Sequence, residues 1–176
     1  MGSEKDSSAI LDDCRDLARE IIRRFGPSGA MIATAESCTG GLIAGMITEI
    51  AGSSAVFDRG FVTYTNDAKM DLIGVRADTL KAHGAVSPET AIEMAAGALS
   101  RSKARYAISV TGIAGPGGGS PEKPVGLVYM GLAARDGEAE ATELRWNEDW
   151  PRDLIRAATV HAALETLIER FEEDEA

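Results

Sequence analysis

The sequence predicts an α/β protein, a three-layer α/β/α sandwich built on a mixed, mostly parallel sheet of about five strands. Three observations carry this. Helical and strand patterns alternate along the chain in the order α-β-α-β-α-α-α-β-β-β-α. The first three strand segments are separated by helical stretches long enough to be crossovers, as parallel pairing requires. The last two strand segments meet at Asp136-Gly137, a hairpin signal that makes at least one strand antiparallel.

The elements follow from local pattern. Ile10, Cys14, Leu17, Ile21 and Phe25 recur every three or four positions, one face of a helix that Gly26-Pro27 should stop. Cys14 reads there as a small core residue. Ala30 to Ala35 is a short apolar run, a buried strand. It leads through a polar turn into a helical pattern at Leu42, Met46, Ile47 and Ile50. Phe57 to Thr65, rich in β-branched and aromatic residues, is the second strand. Asn66 or Asp67 can cap a short helix ended by Gly74, and Arg76 to His83 forms another, closed by Gly84. Ser87-Pro88 is a helix start, a hydroxyl cap followed by proline at the first helical position. Tyr106 to Thr111, Val125 to Ala134 and Ala139 to Trp146 are the remaining strands. A last helix carries Leu154, Ala158, His161, Leu164, Ile168 and Phe171 on one stripe, where His161 reads as a packed residue.

Composition narrows the function. The 176 residues carry 18 Lys plus Arg against 28 Asp plus Glu, a net charge of −10. That balance argues against a general nucleic-acid binder, which needs a basic face. No apolar run approaches the roughly 20 residues of a membrane span, and the polar, acidic start lacks a secretion-signal pattern. Cys14 and Cys38 read as free thiols, so a cytoplasmic location is expected. With His83 and His161 as the only histidines and no Cys/His cluster, no metal and no cofactor are expected. Residues 1–8 are expected to be a disordered tail and residues 9–173 a single domain. Glycine, at 19 of 176 residues, exceeds the usual level of about 7%.

Open α/β sheets bind ligands beyond the carboxyl ends of their strands. Three polar segments fall there: 34–41 (TAESCTGG), 62–69 (VTYTNDAK) and 111–126 (TGIAGPGGGSPEKPVG). In the first, Gly40-Gly41 lets main-chain N–H groups approach a ligand at a helix N-terminus. A serine at such a turn can be a nucleophile, although spacing alone favours Ser37 or Thr39 as a helix cap. No histidine is placed to serve as its base. A lysine held neutral by burial can do so, and Lys69 opens the helix after the second strand. The plainer reading of Lys69 is an exposed helix lysine. The third segment matches neither a P-loop nor a dinucleotide fingerprint. Its glycines suit wrapping of a small polar ligand by N–H groups, or a flexible surface loop.

These segments, 34–41, 59–69 (RGFVTYTNDAK), 83–87 (HGAVS) and 110–126, closely resemble the CinA C-terminal domain family over roughly Leu11 to Leu167. Its enzymatic members are nicotinamide-nucleotide amidohydrolases. The resemblance implies hydrolysis of the carboxamide of nicotinamide mononucleotide, in the stand-alone form of the domain. It implies Ser37 as nucleophile, Lys69 as general base, Tyr64 as a neighbour orienting the pair, and Thr111 at the substrate or the nucleophile. Thr39, Gly40 and Gly41, Asn66, and Gly112, Gly115, Gly117 and Gly118 of the glycine loop become substrate-binding candidates. Family members often carry Gly-Asp-Arg before the final helix. Here Trp150-Pro151-Arg152 stands in its place, so only the arginine, Arg152, is kept as a phosphate contact, with Arg156 beside it. The alternative is a non-catalytic nucleotide-binding or competence-associated interaction domain. The expected partner is a small-molecule nucleotide, with no nucleic acid and no membrane, and a homodimer is the commonest assembly for such a chain.

Overall fold

The structure, a computed structural model, describes residues 6–176. Helix α1 (Ser7–Ser28) starts where the Asp6 carboxylate accepts the Ser8 N–H. Of the expected disordered tail, residues 1–5 lie outside the described residues, whereas Asp6 to Ser8 form the cap and first turn of a helix. α1 also runs through Pro27 instead of stopping at Gly26-Pro27. Proline here falls in the final turn, where few hydrogen bonds remain to be lost, and Gly29 at φ 70° supplies the actual stop.

The chain continues as β1 (Ile32–Glu36), α2 (Leu42–Thr48), a 3-10 turn (Ser53–Ala55), β2 (Phe57–Val62), α3 (Asn66–Ile73), α4 (Ala77–His83), α5 (Pro88–Ser100), β3 (Tyr106–Gly112), β4 (Leu127–Ala134), β5 (Glu140–Arg145) and α6 (Arg152–Glu175). β2 is shorter than its β-rich sequence suggests. Thr65 leaves the strand to cap α3, its hydroxyl accepting the Ala68 N–H, so neither Asn66 nor Asp67 is the cap. β4 starts at Leu127, after Gly126 at φ 90°.

The sheet order is β2-β1-β3-β4-β5, parallel across β2-β1-β3 and antiparallel across β3-β4-β5. Four of the five strands therefore run one way, with β4 opposed. Successive residues point to opposite faces. Ile32, Tyr106, Ile108 and Val110 pack with α1, α2 and α6 in the larger core. Ala33, Ala35 and Ala107 pack with Ile73 of α3 and with Met94 and Ala98 of α5 in the smaller one. These two cores make the three layers. The small side chains on the second face let α5 lie close. A Cβ added at Gly131 of β4 would stand 2.3 Å from the Ala91 carbonyl oxygen.

The connection from β1 leads to β2 on one side, and the connection from β2 returns to β3 on the other. The strand order reverses at β1, which marks its carboxyl end as the crevice for a ligand.

Candidate active site

Ser37 stands at that end. Its N–H donates to the Val110 carbonyl of β3, and the Thr63 N–H beyond β2 donates to the carbonyl of Glu36. The nucleophile candidate is thus fixed between two neighbouring strands. Lys69, in the first turns of α3, reaches back under the turn. Its Nζ lies 3.0 Å from Ser37 Oγ and 2.8 Å from the Thr63 carbonyl oxygen. Lys69 is 1% exposed, which excludes the plain exposed-helix reading of it. Burial pushes its pKa below the ordinary 10.5. Among the described residues no carboxylate lies within 4 Å of it to restore the charge. The neighbouring Cys38 thiol, itself pushed up to about 12 by burial, is uncharged at neutral pH. Held by one N–H on the Thr63 carbonyl, the amine in its uncharged form would present its lone pair to the Ser37 hydroxyl. That is the geometry of a nucleophile and its base.

Glu36 is the functional residue that sequence reasoning missed. It is fully buried, and its carboxylate accepts four hydrogen bonds: from Thr39 Oγ1 at 2.6 Å and from the N–H groups of Gly41, Ile43 and Ala44 at 3.0, 3.0 and 2.9 Å. The glutamate in the motif, seven residues ahead of a helical amide, was the available signal. This carboxylate fills the α2 N-terminus. Thr39, Gly40 and Gly41 therefore do not present free donors there. The Thr39 hydroxyl and the Gly41 N–H serve Glu36, and the Gly40 N–H serves the Ser37 carbonyl at 3.0 Å. An internal anion already holds the helix end that the glycines were expected to offer a ligand. Gly40 and Gly41, at φ 62° and 98°, supply the left-handed turn this wrapping needs. The N–H of Cys38, directly after Ser37, is accepted by no oxygen of the described residues.

The other candidates divide. Tyr64 is 57% exposed, and its hydroxyl accepts from Arg152 Nη2 at 2.9 Å, so it meets Arg152 and not the Ser37–Lys69 pair. Arg152 Nη1 also donates to the Gly115 carbonyl at 2.8 Å, joining the β2 end, the glycine loop and α6. Thr111 is buried and donates to the Ala85 carbonyl at 2.7 Å, a tie between β3 and the turn before α5. Asn66 lies exposed on the first turn of α3.

The glycine loop is anchored at both ends: Gly126 N–H donates to the Ile113 carbonyl and Ser120 N–H to that of Lys123. Gly112 packs against β4, where a Cβ would fall 2.5 Å from Val128, and Gly115 sits at φ 73° against Val125. Gly117 and Gly118 are exposed. Neither histidine enters the site. His161 on α6 is half-buried beside Glu165, and His83 faces Glu89.

No helix of the described residues is long and apolar enough to cross a membrane. Residues 14–171 match the CinA C-terminal domain. The chain is 50% identical over 157 residues to the nicotinamide-nucleotide amidohydrolase PncC of Shigella flexneri, covering 88% of this chain and 93% of that protein. It is likewise 50% identical over 155 residues to PncC of Escherichia coli K12, with the same coverage. Among solved structures, the competence/damage inducible protein CihA of Agrobacterium tumefaciens superposes with a TM-score of 0.87 at 62% identity, covering 89% of this chain and 94% of that one. With the fold, the motifs and nearly full-length identity in agreement, the chain belongs to the CinA C-terminal domain family.

Proposed function

We propose that this chain is a nicotinamide-nucleotide amidase that hydrolyses nicotinamide mononucleotide to nicotinate mononucleotide and ammonia. One observation carries the chemistry: a serine at the carboxyl end of β1, 3.0 Å from a buried lysine whose pKa burial depresses. The names of the 50%-identical relatives supply the substrate class.

Neutral Lys69 takes the Ser37 proton as Oγ attacks the carboxamide carbon. The carbonyl oxygen becomes an oxyanion, and the Cys38 N–H, next to the nucleophile and with no oxygen acceptor among the described residues, is the donor we assign to it. One such donor is typically worth about 3–4 kcal/mol in the transition state. The C–N bond breaks as the Lys69 ammonium returns its proton to the departing nitrogen, which leaves as ammonia. A water then loses a proton to the same amine and cleaves the acyl-serine. The substrate phosphate would meet Arg152, whose exposed guanidinium is bound to two neutral oxygens and so keeps its charge. Remote binding of this kind lowers the barrier only where the substrate carries the phosphate, so free nicotinamide should turn over poorly. Two unpaired thiols suit a reducing compartment, and we place the reaction in the cytoplasm.

The test is ammonia release from nicotinamide mononucleotide by the purified protein, with Ser37→Ala as reference. Release that the variant abolishes is expected. Release no greater than that of the variant would sink the enzyme reading, and binding without release would favour a nucleotide-binding domain.

A further inference from the structure

The turn that carries the nucleophile is fastened on both of its polar sides. Glu36 holds the N–H side. The C=O side is held from α6: Arg156 Nε lies 3.2 Å from the Cys38 carbonyl oxygen, and Nη2 lies 2.8 Å from that of Thr39. The guanidinium is half-buried and passes over Gly40, where an added Cβ would stand 3.8 Å from Nη2.

A planar fork with donors on two nitrogens suits two successive carbonyls, which one ammonium does not match. Each peptide unit is a rigid plane, so fixing its oxygen fixes the whole unit. Arg156 fixes the planes 38–39 and 39–40. The Gly40 N–H on the Ser37 carbonyl fixes the plane 37–38, which carries the Cys38 N–H. The three consecutive planes after the nucleophile are thereby immobilised. To grip a phosphate with the same edge, Arg156 would have to release both carbonyls. They belong to residues only 7% and 0% exposed: the Cys38 carbonyl would be left without a donor, and that of Thr39 would keep only the Leu42 N–H at 3.2 Å.

We infer that Arg156 is a positioning residue: it holds Ser37 and the Cys38 amide in reactive geometry through the turn carbonyls and is not the ligand of the substrate phosphate. This rests on the amidase reading for its kinetic consequence, though not for its geometry.

The test uses the full chain with Arg156→Gln and Arg156→Lys. It reads kcat and KM for nicotinamide mononucleotide and for the riboside, which has the same carboxamide and no phosphate. Displacing a catalytic group by about 1 Å costs on the order of 100-fold. Arg156→Gln should therefore lower kcat by about 10- to 100-fold on both substrates. KM should stay within about twofold, and the preference for the phosphorylated substrate should not change. Arg156→Lys, able to serve one carbonyl, should fall between. A raised KM for the mononucleotide with kcat retained and the riboside unaffected would make Arg156 a phosphate ligand and overturn the inference, as would wild-type kinetics. Should the glutamine variant fail to fold, the lysine variant decides on the same readings.

Labelling of Ser37 by a fluorophosphonate, followed by intact mass, separates the two levels. If the wild-type protein releases no ammonia, the amidase reading fails. Slower labelling in the Arg156 variants still supports the positioning role, and equal labelling removes it.

Discussion

Replacing Glu36 by glutamine measures how far one buried carboxylate organises the nucleophile turn. Its Oε2 receives Thr39 Oγ1, Gly41 N–H and Ile43 N–H, and Oε1 receives Ala44 N–H. Glutamine keeps the shape but has one oxygen. With that oxygen in the Oε2 position, its NH2 faces the Ala44 N–H, donor against donor. That hydrogen bond is lost, and the other three fall from charge-assisted to neutral. A hydrogen bond to a charged group is worth about 1.5–3 kcal/mol and a neutral one about 1. One lost and three weakened bonds therefore cost about 3–4 kcal/mol, allowing for their mutual dependence. For a chain of this size 1 kcal/mol moves Tm by about 2–4 °C, so Tm should fall by about 10 °C. Urea unfolding at pH 7, followed by circular dichroism, gives the value directly. A loss below about 1 kcal/mol with an unchanged m-value would refute the view that this carboxylate anchors the turn.

Two further outcomes follow from other parts of the fold. Burial lowers the Lys69 pKa below 10.5. Between the folded and unfolded values the unfolded chain binds more protons, so this group makes stability rise with pH across that window and adds nothing further above 10.5. Activity, which uses the free amine, should rise with pH through the folded value. Lys69→Met should abolish turnover and remove that contribution, so wild type gains stability relative to the variant as pH rises toward 10.5 in urea titrations. Parallel pH profiles would contradict it. Gly131→Ala should cost about 2–3 kcal/mol and lower Tm by about 5–10 °C, because the new Cβ would meet the Ala91 carbonyl at 2.3 Å and Ser109 Oγ at 2.5 Å. An unchanged Tm would show that α5 can back away from the sheet.

The element order was legible because each helix stripe and strand run is locally consistent. The Ser87 cap with Pro88, and the glycines that close α3 and α4, sit where their backbone chemistry requires. Boundaries failed where one residue had competing uses. Thr65 has strand propensity but caps α3, and Pro27 breaks helices in general yet is tolerated in a last turn. In the site, Ser37 and Lys69 were legible as residues at adjacent strand ends. Burial of Lys69 was not, since it depends on how α3 folds back beneath the turn. Glu36 escaped because an acidic residue at a strand end looks solvated until α2 docks its amides on it. The contact of Tyr64 escaped for a similar reason: its side chain turns outward to Arg152, a neighbour 88 residues away.

On the proposed reading a chain of net charge −10 must attract an anionic substrate, and its arginines divide into two groups. Eight arginines of the described residues, Arg15, Arg19, Arg23, Arg24, Arg59, Arg105, Arg145 and Arg170, lie within 4 Å of a carboxylate, and their charge is cancelled locally. At the carboxyl end of the parallel strands the pattern reverses. Arg152 and Arg156 are bound by carbonyl and hydroxyl oxygens, which orient a guanidinium without neutralising it. The one carboxylate in the turn, Glu36, is buried among four donors that compensate it. Burial lowers the pKa of Lys69 and so opposes a charge there. Of these two guanidinium groups, Arg152 is exposed and Arg156 is committed to the turn. On the amidase reading proposed above, Arg152 would attract the anionic substrate and Lys69 would activate the nucleophile, so neither function would have to be traded against the other.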